Sequence, residues 1–170
     1  VGDPNQVDTA IGPIISQRQL DRVTGMITQA RSDGARLRLG RPAEQLMLSP
    51  HVFTGVTQNM ALAQNEIFGP VAPVLRAADE ADALRMANDT DDGRTRAVLT
   101  GNTYRGEQFA RQIRAGMSHV NDVTAIDMPA LPFGGDRNSG IGRFGSKGMI
   151  DAFTSEHWVS VQHTPSQYPF

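Results

Sequence analysis

Between residues 71 and 121 the sequence alternates short apolar runs with amphipathic stretches, and that rhythm leaves few folds open. Val71-Ala72-Pro73-Val74-Leu75, Ala97-Val98-Leu99-Thr100 and Met117-Ser118-His119-Val120-Asn121 each have the length and character of a strand. Between them, Asp79 can cap a helix carried through Leu84, Ala87 and Asn88. Residues 107–115 place Phe109 and Ile113 on one helical face, with Gly116 as terminator. Strands separated by helices cannot pair as hairpins; they pair in parallel, each helix crossing a face of the sheet. The expected class is therefore α/β, with parallel strands and crossover helices. Pro73 lacks a backbone donor, which puts its strand at an edge or a bulge.

The flanks extend the pattern. Ser16-Gln17-Arg18-Gln19 has the form of a capping box, in which Ser16 bonds the third amide and Gln19 reaches back. Leu20, Val23, Ile27 and Ala30 then recur at helical spacing, and Gly34 ends the helix. Residues 35–39 alternate as a half-exposed strand closed by Gly40-Arg41-Pro42, and residues 50–56 form another extended piece. Near the end, residues 158–162 alternate as a final strand. Residues 163–170 contain two prolines and no period, which predicts a tail draped over a surface.

Composition excludes several classes of function. The 170 residues are 39% hydrophobic and 20% charged, ordinary for a folded soluble protein. Sixteen basic and eighteen acidic residues are interspersed, which leaves no electrostatic footprint for nucleic acid or an anionic membrane. No apolar run has the length of a membrane span and the first residues lack the pattern of a signal peptide, so the expected location is the cytoplasm. The four histidines are isolated, with no metal-ligand spacing, and no Gly-x-Ser-x-Gly elbow occurs. There is no cysteine, hence no disulfide and no thiol nucleophile.

Several motifs then fall into one order. They are Val1-Gly2-Asp3-Pro4, Gly12-Pro13-Ile14-Ile15, Glu66-Ile67-Phe68-Gly69-Pro70-Val71, Ala87-Asn88-Asp89-Thr90, Arg114-Ala115-Gly116-Met117, Val120-Asn121-Asp122, and the run from Pro132-Phe133-Gly134-Gly135 to Gly142-Arg143. Along essentially its whole length the chain resembles the C-terminal part of the NAD(P)-dependent aldehyde dehydrogenase superfamily. The terminal Gln167-Tyr168-Pro169-Phe170 looks like its benzaldehyde and vanillin dehydrogenase branch.

The resemblance implies a partial catalytic domain over residues 1–155 and an oligomerisation strand and tail over 156–170. It implies that Glu66 binds the nicotinamide ribose hydroxyls and that Phe68 packs on the nicotinamide. A carboxylate accepting from two vicinal hydroxyls, beside an aromatic face, suits that task. It also implies adenosine-ribose contacts for Gln19 and Arg22, and a substrate wall from Phe133 and Ile126. Each has a plainer reading: a Gly69-Pro70 turn for Glu66 and Phe68, capping and solvation for Gln19 and Arg22, packing for Phe133. Asn121 is expected to hold a strand end, or to satisfy buried backbone groups. The glycines after Phe133 are expected to serve turns rather than a phosphate loop.

Departures matter as much. The family's cysteine nucleophile, oxyanion asparagine and glutamate base all correspond to positions before Val1, so no catalytic residue is assigned here and the isolated chain is expected to be inactive. In residues 91–96, Asp92, Arg94 and Arg96 replace an aromatic and small or apolar residues. Two arginines in a buried strand are costly unless paired, with Asp91 and Asp92 for instance, which predicts an exposed or relaxed segment. The expected function is that of an aldehyde dehydrogenase piece using NAD or NADP on an aldehyde, aromatic in this branch. Its expected partners are copies of itself or a separate N-terminal half; the alternative is a non-catalytic oligomerisation module.

Overall fold

Ser16 starts the first helix as expected: its Oγ accepts from the Gln19 N–H at 3.3 Å, and α1 runs Gln17–Ser32. Leu20, Val23, Ile27 and Ala30 form its buried stripe. The reciprocal half of the capping box is absent, because the Gln19 amide turns to a distant loop instead. In the computed structural model, which describes residues 1–169, the chain forms two compact units, Val1–Asp91 and Asp92–Phe170. Phe170, the last residue of the expected tail, lies outside the described residues.

In the first unit β1 (Arg36–Leu39) pairs antiparallel with β2 (His51–Thr54), which pairs in parallel with β3 (Val71–Val74). The order β1-β2-β3 puts Pro73 on an outer strand, where a missing donor is tolerated. The stripe of α1 packs with Leu48, Phe53, Val56, Met60 and Leu62, the last on the short helix α2 (Ala61–Gln64). Phe53 is fully buried, and a side chain of that size contributes about 1.5–3 kcal/mol by leaving water. Helix α3 (Glu80–Asn88) begins at Asp79, whose Oδ1 accepts from the Asp82 N–H at 2.8 Å; Asp82 Oδ2 accepts in turn from the Ala78 N–H at 3.1 Å.

The second unit opens with β4 (Asp92–Gly93), then β5 (Thr95–Val98), α4 (Thr103–Ala110) and β6 (Met117–Val120). Strands β5 and β6 are parallel with α4 between them, the crossover unit that the alternation predicts. The parallel strands do not form one sheet. There are three small sheets among the described residues, and β4 pairs antiparallel with β7 (Asp136–Arg137). The last helix, α5, spans Ser146–Phe153.

Three expectations in this unit need correction. The strand predicted at 97–100 sits two residues earlier, at 95–98. The helix predicted at 107–115 starts at Thr103, because the Asn102 side chain accepts from the Arg105 N–H at 3.0 Å and caps it there. It stops at Ala110, since Gln112 and Ile113 bond back to Phe109 and Ala110 in tighter turns. Of the arginines of 91–96, Arg94 is exposed as expected, while the half-buried Arg96 donates to the main-chain carbonyls of Thr95 and Asp92. Residues 158–162 are in no strand within the chain, and Trp158, Val159 and Val161 are exposed.

Candidate functional site

Helix α2 ends where Asn65 bonds back to Ala61 through both its backbone N–H and its side-chain amide. The chain then turns through residues 66–70 and re-enters the sheet, the Pro70 carbonyl accepting from the His51 N–H at 2.8 Å. Two side chains of α1 hold this turn by its main chain. The Arg22 guanidinium donates to Ile67 O at 2.8 Å through Nη1 and to Glu66 O through Nη2. The Gln19 amide donates to Ile67 O at 3.2 Å and to Phe68 O at 3.0 Å. Gly69 closes against the same helix: a Cβ there would lie 2.9 Å from Val23 Cγ2, so only glycine fits.

With its carbonyls occupied, the turn directs Glu66 and Phe68 outward, while Ile67 packs against the core. Glu66 is exposed, and Phe68 is 70% exposed at a backbone φ of 51°. A bulky residue adopts that left-handed conformation only where its surroundings impose it. The result is an accessible carboxylate two residues from an accessible aromatic face. Such a pair can accept from neighbouring hydroxyls and support a flat ring. All four residues singled out here by sequence are thus brought together, but Gln19 and Arg22 touch the turn that carries Glu66 and Phe68.

Within the second unit a cleft of about 370 Å³ is lined by Ile126 and Phe133, the two residues expected to form a wall. The backbone of Phe133 is fixed by paired hydrogen bonds with Phe144, at 2.8 and 2.7 Å. Met117, His119, Met128 and Leu131 also line the cleft and were not singled out by sequence. The period-two alternation of β6, which puts Met117 and His119 on one face, was the available signal. His119 Nε2 is buried with no hydrogen-bond partner.

The glycines after Phe133 serve close backbone packing. A Cβ on Gly116 would sit 2.1 Å from the Gly134 carbonyl oxygen, while the Gly116 N–H donates to Gly93 O at 2.9 Å. Gly140, Gly142 and Gly145 all have positive φ, the geometry of turns. Asn121 is exposed rather than buried. It fastens strand ends, its N–H donating to Val98 O at 2.8 Å and its Oδ1 accepting from the Thr100 N–H at 2.7 Å. Among the described residues no group of three or more His, Asp or Glu side chains is placed to hold a metal ion. No helix there is long and apolar enough to cross a membrane.

Known proteins are similar to this chain in sequence and in fold. Residues 1–159 match the aldehyde dehydrogenase family. The chain is 42% identical over 163 residues to a vanillin dehydrogenase of Corynebacterium glutamicum, covering 96% of this chain and 34% of that protein. A salicylaldehyde dehydrogenase from Pseudomonas putida G7, solved with salicylaldehyde, superposes with a TM-score of 0.92 at 33% identity, over 100% of this chain and 35% of that one. An aldehyde dehydrogenase of Mycobacterium tuberculosis solved with NAD+ superposes with a TM-score of 0.80 at 40% identity, over 85% of this chain and 31% of that one. The chain spans about 35% of the length of its curated relatives. This mixed α/β chain belongs to the aldehyde dehydrogenase family.

Proposed function

We propose that this chain is the C-terminal part of an NAD(P)-dependent aldehyde dehydrogenase catalytic domain. In that reading it supplies the edge that positions the nicotinamide and part of the wall that receives the aldehyde. The observation that carries the reading is the turn at residues 66–68. Its three carbonyls are tethered to α1, and Glu66 and Phe68 are left accessible on one short, fixed segment.

The residues present fit a nicotinamide riboside. The Glu66 carboxylate is acceptor-only when ionised and suits a pair of ribose hydroxyls, while the Phe68 ring offers a face to a planar heterocycle. When bound, NAD(P)+ accepts the hydride in R-CHO + NAD(P)+ + H2O → R-COOH + NAD(P)H + H+. This chain's part is positional: Glu66 and Phe68 restrict where the accepting ring lies, and correct placement is itself a large share of catalysis. The thiol nucleophile is not among its residues, since it has no cysteine, and catalysis therefore requires further polypeptide. Met117, Ile126, Met128, Leu131 and Phe133 give the cleft an apolar lining that suits an aromatic aldehyde. The names of the relatives, vanillin and salicylaldehyde dehydrogenases, support that substrate class.

A chimera tests the reading. This chain replaces the matching 34% of the Corynebacterium vanillin dehydrogenase, and NAD+-linked oxidation of vanillin is followed. Activity is expected. Glu66→Ala is expected to lower the rate of hydride transfer by roughly tenfold or more, the scale of losing charge-assisted hydrogen bonds. An unchanged rate would reduce Glu66 to a structural role.

A second reading, a non-catalytic assembly module, is favoured by the exposed Trp158, Val159 and Val161, which suit pairing with another copy. Light scattering on the purified chain decides it, a monomer counting against assembly.

A further inference from the structure

We infer that Gln19 and Arg22 are positioning residues, which preset Glu66 and Phe68 by holding the main chain of the turn. The inference rests on the reading of Glu66 and Phe68 as the nicotinamide edge and adds how that edge is held in place.

The donor inventory is the first ground. A glutamine side-chain nitrogen has two hydrogens, and Gln19 directs both at the turn, to Ile67 O and Phe68 O. The contact engages the donors of its side chain and leaves its carbonyl oxygen unused. Arg22 applies the two arms of its fork to adjacent carbonyls, those of Glu66 and Ile67. Three consecutive carbonyls are thereby fixed by two residues one helical turn apart on α1. The separation of 44 to 49 residues along the chain makes this a tertiary contact rather than a local cap.

Backbone geometry is the second ground. Phe68 lies in the left-handed region at φ 51°, which a free turn of this composition would not hold. Next to it, Gly69 sits against Val23 so closely that a methyl group would overlap it. The turn is pinned on both sides of its exposed aromatic, and Arg22 and Gln19 are the polar half of that pinning. A binding edge fixed before its ligand arrives loses less entropy on binding.

The experiment has a structural arm and a cofactor arm. In the 170-residue chain, 15N relaxation is expected to give Ile67, Phe68 and Gly69 order parameters like those of α1. Arg22→Met is expected to bring them below about 0.6, the flexible range, with α1 itself unchanged. Arg22→Lys, which keeps the charge and reaches fewer carbonyls, should recover part of the order. Gln19→Leu serves as a second variant should Arg22→Met fail to fold. A turn equally rigid in every folded variant overturns the proposal.

In the chimera, Arg22→Met is expected to raise KM for NAD+ roughly tenfold, the scale of losing one hydrogen bond to a charged group, with KM for the aldehyde unchanged. A raised KM with an undisturbed turn means direct nucleotide contact and overturns the proposal. Glu66→Gln separates the two claims, since it leaves the turn intact. If it leaves KM and rate unchanged, the nicotinamide-edge reading falls. If it impairs the cofactor while a loosened Arg22→Met turn does not, the positioning proposal falls alone.

Discussion

In residues 1–91 a cluster of apolar side chains around Phe53 is buried, from Leu20 on α1 to Leu62 on α2, whereas in residues 92–169 only Ala110 and Ile113 reach comparable burial. The second unit keeps its parts together by a different means. Several of its contacts are between backbones: Gly116 against Gly134, Gly93 bonded to Gly116, and Phe133 paired with Phe144. It also leaves Phe144, Ile150, Phe153 and Trp158 largely exposed. One unit is stabilised chiefly by the side chains it buries and the other in part by side chains it omits.

The contrast breaks most visibly at Phe53. Phe53→Ala is expected to destabilise the chain by about 3–5 kcal/mol in denaturant unfolding, as a large void opens in a core with little room to collapse. Ile113→Ala, at the margin of burial with 9% of its surface exposed, should cost clearly less. Equal losses would mean that the second unit has as tight a core as the first. A smaller effect is expected at Gly116. Adding one methyl by Gly116→Ala forces it onto the Gly134 carbonyl, and overpacking of this kind costs roughly 1–3 kcal/mol. A melting temperature unchanged from wild type would show that backbone proximity does not hold the second unit.

The smallest effect belongs to α3, which lies in the first unit yet buries no residue. The Ala78 N–H, and after it Arg85, hold the Asp82 carboxyl below the ordinary carboxylate value. A lowered folded value means that the contribution is present above the ordinary carboxylate range and is lost as pH falls through the lowered value. Asp82→Asn should therefore melt slightly below wild type at neutral pH and match it in acid. A gap of constant size across that range would show that the charge is not responsible.

Much of the first unit was legible because its determinants are local. Ser16 and the spacing Leu20, Val23, Ile27, Ala30 specify α1, and Pro73 places β3 at an edge. Gln19 was not legible in the same way. Its amide can serve the helix start or the turn at 67–68, and the choice depends on a contact 48 residues away. In the second unit Asn102 displaced the start of α4 because a cap outweighs a few residues of periodicity. The two-residue strands β4 and β7 carry no period at all. At the candidate site, Glu66 and Phe68 were singled out through a motif and the resemblance it carries, and Ile126 and Phe133 through the resemblance alone. Met117 and His119 were passed over, because a cleft is made by several segments whose meeting no single segment encodes.

Pro73 stands opposite Phe53 on β3, the outer strand of the first sheet. An outer strand is a template on which chains from solution can add, provided that its row of donors is continuous. At the third of four residues that row has a gap. A side that would otherwise template the addition of further strands is thus made a poor seed.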